Sequence, residues 1–416
     1  MKEECTMRDA LPMLSLKERE RRWRRTRELM KSKEVECLIV PPKGREELIG
    51  YLSNELSEGV LIFPLKSDPI QLTWSGSRLI RRLVAEQRGI KPWVQDIRQG
   101  TNGPDVVKVI KEKGLERARI GVVGVDSWAP NDPEGYMPYK TWNAILKGLP
   151  EANFIDISEA FGEMVLVKSE EELMLMRYSA RIGEEACQSM LDMVKPGVKE
   201  RDVYAAIMSV IYKAGAVSPD PFLILYSGVE NLSWGCPLWH YQGGPDRTFQ
   251  PGDLVFAEIF PRYAGMESQQ QMSVHLQPLN PALMECAKIA KRSYEAGIKA
   301  LRPGTVFGKV CEAMDAPLRE AGCWHLTPLI HSMSPLGWVS AIHGRIEEAP
   351  GMEWARGKAH SVGVRGGDLV IKAGMIFEME PNACIGKHRV NIGGTVVVTE
   401  YGVEELNRLP MEMRIK

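Results

Sequence analysis

Pro251–Ser273 reads PGDLVFAEIFPRYAGMESQQQMS. A Pro-Gly-Asp turn leads into an apolar strand interrupted by one acid, Glu258. A second turn follows near Gly265, and three glutamines, Gln269–Gln271, open a returning strand. Turn residues between such segments predict a β-hairpin. Side chains alternate across a strand, so in a regular hairpin Gln269 and Gln271 share a side with Glu258. A carboxylate inside an apolar strand is costly to bury without a partner or a task, which makes Glu258 a candidate functional residue.

The same reasoning extends along the chain. Glu380 ends the apolar run Ile376-Phe377-Glu378-Met379-Glu380-Pro381, and Glu378, two residues earlier, falls on its face. His331 lies in LIHSMSPLG, where a hydrogen-bonded core histidine and a reacting group are both open readings. His240, in Leu238–Tyr241 (LWHY), sits ahead of the Pro-Gly-Asp turn and reads either as a surface loop residue or as a general base. Its neighbour Trp239 is a candidate apolar wall for a substrate. His275, His343, His360 and His388 read as surface or structural residues.

Composition narrows the class. A chain of 416 residues exceeds one ordinary core and predicts two domains. A formal net charge of −1 with 26% charged residues carries no footprint for nucleic acid or an acidic membrane. The basic cluster Lys17–Arg27, KERERRWRRTR, is interleaved with Glu and predicts a solvated helix face. No apolar run reaches the ~18 residues of a membrane span, and the polar start is unlike a signal peptide. The eight cysteines include no C-x-x-C pair and read as reduced core thiols, which points to the cytoplasm.

Residues 1–160 alternate helical and strand patterns, including a helix over Leu16–Lys31, strands at Val35–Val40, Gly59–Pro64, Ile70–Trp74 and Ile120–Val125, and helices at Ser77–Gln87 and Pro138–Leu149. This alternation predicts an α/β layer, with a loop over Ser127–Tyr139. Residues 165–416 open with helices at Glu170–Met193 and Lys199–Ala214. Strands follow at Phe222–Tyr226, Leu254–Phe260 and Gln270–Leu276, then helices at Pro281–Ala300 and Val306–Ala321, then strands at Met375–Glu380 and Thr395–Thr399. The prediction is an α+β domain with helices outside a curved, mainly antiparallel sheet.

Besides the 251–273 hairpin, five segments in order carry a resemblance: Met164–Glu185 (MVLVKSEEELMLMRYSARIGEE), Leu238–Tyr241, LIHSMSPLG around His331, Gly374–Pro381 (GMIFEMEP) and Thr395–Gly402 (TVVVTEYG). Together they resemble the creatinase/aminopeptidase P family over nearly the whole chain. The resemblance implies a creatinase-like N-terminal α/β domain and a pita-bread C-terminal domain, paired as a homodimer. It also implies a five-ligand dinuclear metal site, and here this chain departs. Its hairpin acids fall at Glu258 and Gln269, and the last metal glutamate at Gly393; His331 and Glu380 retain the pattern. A neutral amide cannot replace a carboxylate bridging two cations.

The resemblance and its losses together imply a creatinase-like hydrolase, or a lyase, acting without metal or other cofactor on a C–N bond of a small, cationic nitrogen compound. The catalytic residues would be His240, Glu258, His331 and Glu380, with Gln269, Gln271, Glu378 and Trp239 binding substrate. Creatine itself fits poorly, because Tyr51-Leu52-Ser53-Asn54 runs into Glu55 and Glu58 without the arginine that would take its carboxylate. The alternatives are an Xaa-Pro aminopeptidase or dipeptidase with one metal at Glu258, His331 and Glu380, and a silent pita-bread binding protein. The segment Gly344–Asp368 reads as an insertion able to reshape the pocket.

Overall fold

The structure, a computed structural model, describes residues 11–41, 48–55, 59–100, 102–126, 135–219, 223–230, 232–326, 328–342, 351, 353–358 and 363–416. Phe222, His343, His360, Cys5, Glu58, most of the 127–139 loop and much of the Gly344–Asp368 insertion lie outside the described residues. The chain divides into two compact units, Met13–Val165 and Leu166–Lys416, and Pro12 groups with the second.

In the first unit six strands lie in the order Asp96–Gln99, Ile70–Thr73, Leu61–Pro64, Cys37–Val40, Arg119–Val122, Asn153–Asp156. Cys37–Val40 runs parallel to Arg119–Val122 and antiparallel to Leu61–Pro64. Both central strands are buried at every position, which their unbroken apolar runs CLIV and LIFP require. Helix Leu16–Ser32 starts at Ser15, whose hydroxyl accepts from Glu18 N at 3.2 Å. The solvated-face reading of its basic cluster needs correction. Arg22 and Glu18 are buried and paired at 2.8 Å, and Arg22 also donates to Tyr51 O at 3.1 Å. Seven cysteines are described; all are buried, and none is in a disulfide.

The second unit opens with helix Glu170–Met193. The Lys168-Ser169 start has a physical reading: Ser169 Oγ accepts from Glu172 N, and the Glu172 carboxylate accepts from Ser169 N at 2.8 Å, a capping box. Among the described residues the main sheet has ten strands. Eight lie in the order Gly363–Arg365, Leu336–Ile342, Ile330–Met333, Ile376–Met379, Gly393–Val398, Gln270–His275, Leu254–Ile259, Leu223–Gly228. Val403–Glu405 pairs with Gly393–Val398, and Arg414–Ile415 with Gln270–His275. Every pairing along the path of eight is antiparallel.

Register sorts the side chains by face. Ile330, Phe377, Met379, Val396 and Val398 fall on one side and share a core with Leu283, Ile289, Tyr294, Val310 and Met314 of helices Pro281–Ala300 and Phe307–Glu320. Glu170–Met193 is tied in through Ser179 Oγ, which donates to Pro261 O at 2.7 Å. The opposite side carries polar residues.

Candidate active site

The Pro251–Ser273 hairpin forms as predicted and is more elaborate than a simple return. Leu254–Ile259 pairs with Gln270–His275, and a short ladder, Arg262–Tyr263 with Met266–Glu267, extends the tip. Ala264 and Gly265 turn the chain with φ of 47° and 83°, the left-handed pair of a two-residue hairpin loop. At the base, Gly252 has φ 84° and the Asp253 carboxylate accepts from Gln250 N at 2.7 Å and pairs with Arg247.

Register places Gln271 opposite Glu258 and Gly393, Thr395 opposite Glu378, and Glu378 opposite His331. Directly opposed residues of an antiparallel pair point the same way. One side of the sheet therefore carries a continuous polar row: His331, Glu378, Thr395, Gly393, Gln271, Glu258. Glu380 lies one residue beyond its strand and joins this row through both oxygens. Gln271 Nε2 donates to Glu380 Oε2 at 3.1 Å, and His331 Nε2 lies 3.3 Å from Oε1. His331 Nδ1 faces Ser332 O at 2.9 Å, and since a carbonyl only accepts, Nδ1 carries a proton. Gln269 donates through Nε2 to Glu267 at 3.0 Å, while its backbone N–H donates to Thr395 Oγ1 at 2.8 Å.

Burial pushes the Glu378 carboxyl well above the usual range, and the neighbouring Glu380, Glu258 and Glu267 add to it, against a lowering bond from Thr395. The hydroxyl geometry agrees. Thr395 Oγ1 faces both Gln269 O at 3.1 Å and Glu378 Oε2 at 2.8 Å, yet it has one hydrogen to give. A protonated Glu378 donating to Thr395, which in turn donates to Gln269 O, satisfies all three.

Arg389 is missing from the sequence reading. It lies on the hairpin Asn382–Ile385/His388–Asn391, only 2% exposed, with its guanidinium 5.2 Å over the Phe256 ring. Nη2 donates to Ser233 O at 2.6 Å. Burial pulls its pKa down, and Cys384, Glu258, Tyr226 and Glu380 push it back up. The acidic row thus has a resident cation. The signal available in sequence was an arginine alternating with Val390 just after the Gly386 turn.

His240 and Trp239 stand on a different element, the short helix Leu238–Gln242. His240 is exposed and lies among the rings of Tyr204, Trp239 and Tyr241, at 5.9, 6.0 and 5.5 Å. Trp239 packs edge-on to Tyr204 at 5.4 Å beneath Arg201. The segment leading to this helix is held by Arg389 at Ser233 and by His388, whose Nδ1 lies 3.0 Å from Val229 O. His275 is structural: Nε2 accepts from Asn280 N at 2.8 Å, so Nδ1–H points to Asp253 O.

The sequence matches metallopeptidase family M24 over residues 174–400. That is more than half of the chain. The chain belongs to metallopeptidase family M24. It is a hydrolase with the pita-bread fold. It is 23% identical to creatinase from Bacillus sp. (strain B-0618) over 316 residues, 73% of this chain and 70% of that protein. The Xaa-Pro dipeptidase of Pyrococcus furiosus is 23% identical over 281 residues, 67% of this chain and 74% of that one. Among solved structures, the prolidase from Pyrococcus horikoshii OT3 superposes with a TM-score of 0.70 at 18% identity, covering 94% of this chain and 99% of that one. Dipeptidase PepE from Mycobacterium ulcerans gives 0.71 at 21%, covering 97% and 99%.

The residues present do not fit a pair of metal ions. Gln269 brings no charge where the family pattern has a carboxylate. Gly393 is sterically enforced: a Cβ there would collide with Met379 O and the Gln271 side-chain oxygen, and come within 2.8 Å of Glu380 Cα. The Gln271 amide occupies the ground that a glutamate at 393 would need. Among the described residues no three His, Cys, Asp or Glu side chains are grouped to hold an ion.

Proposed function

We propose that this chain is a creatinase-like hydrolase that cleaves a C–N bond of a small nitrogen compound without a two-metal centre. The observation that carries this reading is the Gln271–Glu380 hydrogen bond, with His331 Nε2 3.3 Å from the same carboxylate, packed against a Gly393 that has no room for a side chain.

In this reading Glu258 and Glu380 hold the substrate nitrogen and stabilise positive charge on it as the bond breaks. His331, fixed by its Ser332 contact, orients the reacting group. Gln269, Gln271 and Glu378 supply acceptors and donors around it, and Trp239 supplies an apolar wall. His240 takes a proton from water and returns one to the leaving nitrogen, on a segment tethered through Ser233. Water's oxygen joins the carbon, the C–N electron pair leaves with nitrogen, and nitrogen is protonated. The active form is a cytoplasmic homodimer.

The second reading, an Xaa-Pro dipeptidase or aminopeptidase with one metal at Glu258, His331 and Glu380, is supported equally by the named relatives. It requires the His331–Glu380 contact to open. Elemental analysis of the purified protein, with turnover before and after chelation, separates the two. The test compounds are N-substituted amino acids and Xaa-Pro dipeptides. Metal-free, chelator-insensitive hydrolysis of an N-substituted amino acid is expected. Stoichiometric metal with chelator-sensitive, proline-specific cleavage would replace the first reading by the second.

A further inference from the structure

Two donors on one short strand remain unused by the fold. Arg389 Nη1 and the Asn391 side-chain amide, Nδ2 and Oδ1 alike, are buried, and among the described residues none of these atoms has a hydrogen-bond partner. The residues are 2% and 1% exposed. They lie two apart on His388–Asn391, so alternation sends both to the same side. That side faces the hairpin: Arg389 covers Phe256, two residues from Glu258, and Ser273 Oγ donates to Asn391 O at 2.7 Å, two residues from Gln271. A buried donor left unbonded is destabilising, and a charged one more so, so such a pair is expected where something accepts from it.

We infer that Arg389 and Asn391 form an oxyanion-binding pair, and that the scissile carbon of the substrate therefore bears an oxygen, as in an amide or a ureido (carbamoyl) group. The assignment rests on the metal-free reading above and narrows its substrate class. When water's oxygen adds to the carbonyl carbon, the C=O π pair moves onto the carbonyl oxygen. Arg389 Nη1–H and Asn391 Nδ2–H hold that anion. On collapse the pair re-forms the double bond, the C–N pair leaves with nitrogen, and the proton lost by water ends on that nitrogen. The guanidinium supplies at the oxygen the positive charge that a metal would otherwise bring, while Glu258 and Glu380 take the nitrogen side. A guanidino substrate places its own cation against Arg389 and is disfavoured, since like charges in a buried site repel strongly.

The test compares matched N-carbamoyl and N-amidino derivatives of the same amino acids, which differ by oxygen against charged nitrogen. Binding is followed by calorimetry and hydrolysis by product release, with the full chain, R389K and R389Q. The expected result is preference for the carbamoyl member. In R389Q kcat should fall at least ~100-fold with KM changed less than ~10-fold, and the preference should disappear. R389K keeps a charge and a donor for Ser233 but loses the fork, so a loss of at least ~10-fold at unchanged melting temperature is expected even where R389Q fails to fold. Preference for the amidino member, or a preference untouched by both variants, overturns the assignment, as does failure of the carbamoyl compound to bind at millimolar concentration. Metal-free hydrolysis of the amidino member would remove the oxygen assignment alone. Metal-stimulated Xaa-Pro cleavage with neither compound bound would remove the underlying reading as well.

Discussion

The two faces of the large sheet are built from the same strands and obey opposite rules. On the helix-covered face, Phe377, Met379, Val396 and Val398 are buried by shape alone. On the other, Glu258, Gln271, Glu378 and His331 are buried nearly as deeply but need partners: amide to carboxylate, hydroxyl to carboxyl, guanidinium to ring. An apolar residue is interchangeable with another of similar volume at modest cost. A buried polar residue is tied to one arrangement of its neighbours. The apolar face therefore carries stability and the polar face carries chemistry, and mutations should separate the two.

The largest effect belongs to the apolar face. Phe377 is fully buried and stacks on Phe307 at 5.7 Å, so Phe377→Ala should cost about 3–5 kcal/mol of unfolding free energy. Denaturant titration measures it; a cost below ~1 kcal/mol would mean that this face is not the core. Glu380→Gln comes next and tests the other face. The substitution keeps shape and removes charge, so turnover should fall at least ~100-fold, about 2.7 kcal/mol, while the denaturation midpoint shifts little. Equal losses in activity and stability would erase the distinction between the faces.

Much of the apolar architecture is legible in the sequence. Pro281–Ala300 begins at an Asn cap with proline in the first turn, Glu170–Met193 begins at a capping box, and both match their expected spans. The strands Ile330–Met333 and Leu336–Ile342 escape prediction, as does the Asn382–Asn391 hairpin; three of these four strands are only four residues long, too short to display a clear period of two. Glu258, Glu378 and Glu380 announce themselves as acids inside apolar runs. Arg389 does not, since its burial depends on Phe256 and Ser233, more than a hundred residues away. Gly393 reads as a lost ligand. Only the structure supplies the cause, the Gln271 amide and the Met379 carbonyl pressed against it.

That crowding yields a smaller, sharper prediction. Gly393→Ala adds one methyl to the polar face, where overpacking should cost about 1–3 kcal/mol. The damage should spread to catalysis, because relief requires Gln271 to release Glu380. Calorimetric melting and turnover on the same sample check both. A variant as stable and active as the parent would show that Gly393 is free to carry a side chain, and the argument against a second acidic ligand there would fall.

The finest test concerns Glu378. Its folded pKa is raised above the ordinary 4.5, so between 4.5 and that higher value the folded chain holds a proton that the unfolded chain has released. The sign follows: stability contributed by this group is complete below about pH 4.5 and declines as pH rises toward the folded value, with a slope of at most about 1.4 kcal/mol per pH unit for one proton. Glu378→Gln resembles the protonated acid in charge and can still donate to Thr395, so it should remove that decline while leaving acid-side stability unchanged. Urea denaturation of parent and variant at pH 5 and near pH 8 reads the difference directly. Parallel pH dependences would mean that Glu378 is ionised in the folded protein. The Thr395 hydroxyl would then have to donate to the carboxylate, leaving Gln269 O without it, and the polar row would be held together by a different set of bonds.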